Sequence, residues 1–179
     1  MRRSKWSKRE KNTMPLTSLT SETFWSYTCE RYARGKTQEL ALTLQDTYGV
    51  NVNLLLFLCW CTENNVVVIL SQFKSLASAV EQSDQQLILH RAKRKQMHPN
   101  QSGDSTNYAA LKAQELDLER EQQGIIVTTA KALGLHGLPS QVGQSQSSVF
   151  NASIASFVNL YGLREQKVAR SLISQVLCQ

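Results

Sequence analysis

Residues 51–61 read NVNLLLFLCWC, and they contain the longest uninterrupted apolar run of the chain, Leu54–Cys61. The run has no polar face, which is typical of a helix surrounded by other elements. Short apolar runs also fit strands, so a rival interpretation makes Leu54–Cys61 and Val66–Leu70 two strands joined by residues 62–65. The leucine-rich composition of the first run and a helical apolar period that continues to Val80 favour helices.

Working outward from this run, amphipathic segments predict further helices. Upstream, one helix begins at about Glu22, with Ser21 as its N-cap, and a second covers about Thr37 to Tyr48 before Gly49. Downstream, apolar stripes predict helices over about 66–80, 87–98, 108–133, 150–161 and 168–176, with a polar interruption at 81–86. The sequence therefore predicts an all-α fold, a single compact bundle of about six to eight helices over residues 21–179, with polar loops near 99–106 and 138–148.

The positive charge of the chain is concentrated at its start. The formal net charge is +6, but six basic residues stand against Glu10 alone in the first twenty residues, which leaves +1 for the remainder. We predict that residues 1–20 form a disordered basic lead-in. An alternative start at Met14, just before the first amphipathic segment, would remove most of this lead-in from the protein.

Cysteine usage and hydropathy indicate the cellular compartment in which we expect the protein. Cys59 and Cys61 lie inside the apolar run, as buried free thiols do in reducing compartments. No apolar stretch follows the basic start as in a signal peptide, and no run reaches the roughly 20 residues that cross a bilayer. We therefore expect a cytoplasmic protein without a membrane span.

No catalytic, cofactor or metal site is recognisable. Cys59 and Cys61 are two positions apart, so they point to different sides of a helix and cannot share a metal. The histidines His90, His98 and His136 have no partners at ligand spacing. The sequence thus predicts no cofactor, and the lack of a catalytic motif argues against an enzyme.

Three sets of residues are candidates for binding. The charged face of the long helix near 108–133 is a candidate protein-partner surface. The basic segment before residue 99 is a candidate nucleic-acid patch, because cationic side chains bind phosphates; its alternative is a solvated helix end. The polar edge beside the apolar helix is a candidate ligand pocket, or a set of hydrogen bonds that fixes how the second and third helices pack in the core. The members are Tyr108, Lys112, Glu115 and Glu119 for the partner surface, Arg91, Lys93, Arg94 and Lys95 for the patch, and Trp25, Asp46, Asn53 and Trp60 for the pocket.

Several motifs resemble a proteobacterial domain family of unknown function. They are Phe24-Trp25-Ser26-Tyr27 with Tyr32, Leu44-Gln45-Asp46-x-x-Gly49-x-x-Val52-Asn53-Leu54-Leu55-Leu56-x-x-x-Trp60, and Tyr108-x-x-Leu111-Lys112-x-x-Glu115-Leu116-x-x-Glu119-Arg120. Together they span about residues 22–130. The resemblance implies a small bacterial cytosolic protein and brings no known activity, cofactor or catalytic residue.

The function favoured at this point is a non-catalytic protein-interaction or regulatory module with a protein partner. Two alternatives remain open. One is association with nucleic acid through Arg91–Lys95, and the other is a small-ligand binder or enzyme with a pocket near Asp46 and Asn53.

Overall fold

The computed structural model describes residues 16–98, 100, 105–135, 137 and 146–179. These ranges hold seven α-helices, a 3₁₀ turn at Leu16–Ser18 and one isolated antiparallel bridge between Val66 and Gly137. The helices are α1 (Ser21–Tyr32), α2 (Thr37–Tyr48), α3 (Val52–Glu63), α4 (Leu70–Gln96), α5 (Ser105–Ala132), α6 (Gln146–Leu160) and α7 (Lys167–Leu177). The all-α prediction is confirmed, and no strand occurs in these ranges.

Helix α3 lies at the centre of the bundle. Every residue from Asn53 to Cys61 is buried, and α3 packs against α1, α2, α5 and α6. The Asn51 side chain caps the helix by accepting a hydrogen bond from the Leu54 N–H at 3.0 Å. The apolar run is therefore a buried helix, and the interpretation as two strands is wrong.

Helix α4 differs from its prediction at two points. It begins at Leu70, because residues 66–69 are extended and the Val68 N–H donates to the Ser153 hydroxyl on α6 at 3.1 Å. It then continues through the polar stretch 81–86, where the sequence predicts an interruption. Val80 and Leu87 are both buried and stand two helical turns apart, so one buried face passes beneath the polar residues.

Helices α4 and α5 form an antiparallel pair. Contacts near the end of α4 involve the start of α5, such as His90 with the Leu111 carbonyl, whereas Ser83 further back on α4 meets Gln122 far along α5. This pairing brings together side chains that are distant in the chain. It also builds one wall of the site described below.

The folded part begins earlier than the predicted boundary at residue 20. Leu19 is fully buried, and Thr20 rather than Ser21 caps α1 by accepting from the Thr23 N–H at 3.1 Å. Residues 1–15 of the predicted lead-in, including Met14, lie outside the described residues. So do most of the two predicted loops, although α5 already begins at Ser105 and α6 at Gln146.

A buried arginine holds the C-terminal helix in place. Arg31 of α1 is 2% exposed and donates to the carbonyl oxygens of Val176 and Leu177 at 2.8 and 3.1 Å. It also donates to the Gln179 carbonyl at 3.1 Å and lies 3.4 Å from Glu63. These bonds satisfy carbonyls that the end of a helix leaves unpaired.

Among the described residues, no helix combines the length and the apolar content needed to cross a membrane.

Candidate ligand cavity

A half-open cavity of about 590 Å³ lies between helices α1, α2 and α3 on one side and the α4–α5 pair on the other. The three candidate sites of the sequence analysis meet here. All their residues line the cavity except Lys93 and Trp60. What the sequence presents as three surfaces is therefore one site with several walls.

The floor of the cavity consists of buried amide and hydroxyl groups. Gln123 Nε2 donates to Asn53 Oδ1 at 2.9 Å, and Thr28 Oγ1 donates to Gln123 Oε1 at 3.1 Å. Beneath them, Asn53 Nδ2 donates to Gln122 Oε1 at 2.8 Å. These four side chains are at most 5% exposed. Their bonds connect α1, α3 and α5 below the cavity.

The same network extends to α4. Gln122 Oε1 also accepts from Asn51 Nδ2 at 3.0 Å, and Gln122 Nε2 donates to the Ser83 hydroxyl at 3.1 Å. Asn51 Nδ2 donates in addition to Asp84 Oδ1 at 2.7 Å. We call Asn51, Asn53, Gln122 and Gln123 the buried amide network. Because the bonds among the four amides are buried and those to Ser83 and Asp84 are partly buried, the network holds together the four helices around the cavity floor.

One wall carries two arginines and two glutamates, which we call the ionic wall: Arg91, Arg94, Glu115 and Glu119. Arg91 lies 2.9 Å from Glu119 and 3.4 Å from Glu115, and Arg94 binds both oxygens of Glu115. Arg94 also donates to the Tyr108 hydroxyl at 3.2 Å. The four side chains are between 14% and 26% exposed, so these ion pairs are partly shielded from water.

Burial changes the acid–base properties of this wall. Burial raises the pKa of Glu119, and the hydrogen bond from Arg91 opposes this only in part. Burial lowers the pKa of Arg94, but the hydrogen bond and the charge of Glu115 outweigh it and raise that pKa overall. Arg94 therefore stays cationic, while Glu119 is easier to protonate than an exposed glutamate.

The opposite walls are mainly apolar. Trp25, Val52 and Leu56 line the interior, and Leu42 and Leu116 stand at the mouth with 38% and 52% of their surface exposed. Tyr32 and Cys29 also line this side, and burial raises the pKa of each of their ionisable groups. A molecule in the cavity would thus meet apolar surface on one side and charges on the other.

Of the predicted pocket residues, Trp60 does not line the cavity and Asp46 lies at its rim. Trp60 is 2% exposed and stacks on Phe57 with ring centroids 6.2 Å apart, away from the cavity. It shares a helix face with Asn53, but seven residues place it about 10 Å further along the axis, inside the core. The Asp46 side chain is 57% exposed at the cavity rim. The prediction that Asp46 makes hydrogen bonds in the core is therefore wrong, whereas Asn53 makes them with α5 rather than α2.

The basic segment does not form one outward patch. Arg91 and Arg94 turn toward the cavity and pair with glutamates. Lys93 is exposed outside the lining, and Lys95 is exposed at the rim, 3.9 Å from Asp46. Two of the four cations thus pair with glutamates at the cavity wall instead of facing outward as a patch.

The residues of the predicted partner surface are divided between the interior and the mouth. Glu115 and Glu119 belong to the ionic wall, and Lys112 is exposed at the mouth. Tyr108 packs edge-on against His98 with centroids 5.1 Å apart and accepts from Arg94. In the part of the chain that the structure describes, no group of His, Cys, Asp and Glu side chains could hold a metal ion.

Comparison with known proteins adds one finding. The model of a family described as "Protein of unknown function (DUF2390)" matches residues 23–126. Every residue that lines the cavity, from Trp25 to Gln123, falls inside this match, whereas α6 and α7 fall outside it. Neither a curated protein nor a solved structure matches the chain.

Proposed function

Because the chain belongs to the DUF2390 family, whose description assigns no activity, we propose a function from geometry: the protein binds a small organic ligand in its cavity. The observation that carries this proposal is the convergence of five helices on a single half-open cavity of about 590 Å³. Ligand sites in proteins are mostly apolar clefts of about 300–1,000 Å³ with a few well-placed polar groups. The cavity has this size and this composition.

The rigidity of the lining also supports ligand binding. The polar groups at the floor are held by the buried amide network, and those of the ionic wall are held by each other. A ligand would therefore find its partners already oriented, and little conformational entropy would be lost on binding. We propose a binding or regulatory role without catalysis, in the cytoplasm, where the buried thiols of Cys59 and Cys61 fit a reducing environment.

A screen by thermal unfolding tests this function. The full chain is heated with a library of organic acids, amines, amides and aromatic heterocycles. A ligand at about a hundred times its Kd adds about 2.7 kcal/mol of stability, which for a chain of this size raises the Tm by about 5–10 °C.

Two variants make the screen specific. Val52→Trp fills the cavity from α3, whereas Leu89→Trp adds the same ring to an exposed position of α4 outside the lining. Circular dichroism first verifies that both variants are folded. Compounds that stabilise the wild type and Leu89→Trp but not Val52→Trp would support the proposal. If no compound stabilises the wild type, or if Val52→Trp responds as the wild type does, the cavity is not a ligand site.

A protein partner at the mouth is the second candidate function. This candidate is supported by the exposure of Leu42 and Leu116 at the mouth of the cavity, beside the exposed Lys112. Exposed apolar side chains beside a charged rim are typical of partner surfaces. In a pull-down with the tagged full chain, Leu116→Asp would then remove a partner that the wild type retains, while Leu89→Asp would not. Retention of every partner by Leu116→Asp would exclude this surface.

A further inference from the structure

Several side chains that line the cavity carry N–H groups that no described acceptor of the protein binds. A guanidinium has five N–H groups, of which Arg91 uses two and Arg94 three in the described part of the chain. The amide nitrogens of Asn53 and Gln123 each make one of their two possible bonds there. Each of these four side chains thus has N–H groups that no described acceptor uses, and all four side chains line the cavity.

The acceptors of the ionic wall are largely engaged. Both oxygens of Glu115 accept from arginine, and one oxygen of Glu119 accepts from Arg91. Asp46 lies at the rim near Lys95 rather than inside. In the ionic wall the unused arginine N–H groups therefore outnumber the unused carboxylate oxygens, so a ligand that supplies acceptors fits there.

The formal charge of the lining also favours a ligand that carries negative charge. Arg91, Arg94, Lys95 and Lys112 are cationic, while Asp46, Glu115 and Glu119 are anionic, so four positive groups face three negative ones. The ionic wall itself is formally neutral, so the excess positive charge comes from Lys95 and Lys112, which are exposed at the rim and the mouth. Burial also raises the pKa of Glu119, so the uptake of a proton by Glu119 when an anion binds costs less than it would for an exposed glutamate.

Building on the proposed ligand function, we infer that the ligand is an organic anion, a carboxylate whose aromatic or aliphatic body lies against Trp25, Val52 and Leu56. Arginine suits this role because its planar N–H groups match the two oxygens of a carboxylate. The apolar wall then accounts for the body of the ligand, which a simple inorganic anion lacks.

The test compares probes that share a body and differ only in charge. Phenylpropionate, phenylpropionamide and phenylpropylamine are titrated into the full chain by calorimetry at low salt, together with the corresponding three compounds that carry an indole body. The carboxylates are expected to bind about tenfold more tightly than the amides, as charged hydrogen bonds are stronger than neutral ones. The amines are expected to bind most weakly.

Paired variants locate the effect. Arg94→Gln combined with Glu115→Gln removes one cation and one anion, which keeps the net charge and leaves no unpaired glutamate. This double variant should remove most of the preference for the carboxylate over the amide. The matched control is Lys93→Gln, which removes a cation on the same helix but outside the lining. It should leave carboxylate affinity unchanged.

The outcomes separate the two proposals. Equal affinity for the three charges, abolished by Val52→Trp, would overturn the carboxylate inference and leave the cavity as a ligand site. Tightest binding of the amine, or an equal loss in Lys93→Gln, would also overturn the inference. Absence of binding by all these probes, together with an empty thermal screen, would overturn the cavity function and the inference with it.

Discussion

The replacement of Asn53 by aspartate is a sharp probe of the buried amide network. Asn53 Nδ2 donates to Gln122 Oε1 at 2.8 Å, and its Oδ1 accepts from Gln123 Nε2 at 2.9 Å. In Asn53→Asp an oxygen replaces the donor, so the first bond is lost and two oxygens face each other, while the second bond remains. A bond lost in the interior costs about 1–3 kcal/mol, and a carboxylate at a position 5% exposed adds a desolvation penalty that Gln123 offsets in part.

We therefore expect Asn53→Asp to lower the free energy of unfolding by about 3 kcal/mol at pH 7, which corresponds to a Tm lower by about 6–12 °C. The loss should depend on pH. The protonated carboxyl can donate to Gln122 again, so its folded-state pKa lies above the unfolded value of about 3.9. An acid whose folded-state pKa is raised destabilises the fold above that pKa, and the deficit shrinks as the pH falls toward the unfolded pKa.

The assay is thermal unfolding followed by circular dichroism at pH 7 and at about pH 4.5. The matched control is Asn151→Asp, the same change at an exposed position of α6, which should shift stability by no more than about 0.5 kcal/mol. A Tm of Asn53→Asp within about 1 °C of the wild type at pH 7 would refute the network. So would a deficit that grows as the pH falls.

Three further predictions concern the C-terminal helix and the thiols. Arg31→Met removes the donor to three carbonyls at the end of α7. It should lower the free energy of unfolding by about 2–4 kcal/mol and accelerate amide hydrogen exchange in α7 more than in α3. An equal acceleration in both helices would contradict this anchoring role. Alkylation of the native protein should modify the exposed thiols of Cys29 and Cys178, while Cys59 and Cys61 should react only after unfolding. The reason is that burial raises the pKa of Cys59 to about 11 and the pKa of Cys61 well above its usual value. A cavity ligand should protect Cys29 and not Cys178, as followed by mass spectrometry, since only Cys29 lines the cavity; equal protection of both would contradict binding there.

The helices could be predicted from the sequence because their signals are local. The apolar run predicts α3, and Gly49 predicts the end of α2 at the residue that forms its C-cap in the structure. The continuity of α4 could not be read in the same way. Residues 81–86 look like a break, and the packing of α4 along α5 favours a continuous helix there.

The candidate site was predictable in its residues but not in its assembly. Periodicity predicts which side chains share a helix face, yet it does not predict which helices pair. The antiparallel pairing of α4 with α5 brings Arg91 to Glu119 across 28 positions of the chain. The burial of Gln122 and Gln123 could not be predicted, because glutamines are usually exposed and nothing nearby in the sequence marks this pair as buried.

The most direct test of the central claim, that the cavity binds a small organic ligand, is an NMR titration. Proton–nitrogen spectra of the isotope-labelled full chain are recorded while the best compound from the thermal screen is added. We expect saturable shifts of the Trp25 indole N–H and of the Asn53 and Gln123 side-chain amides, which border the cavity. The resonance of the buried Trp60 indole serves as an internal control and should not shift. Shifts confined to Trp60 or to residues outside the lining would show that the cavity does not bind the compound.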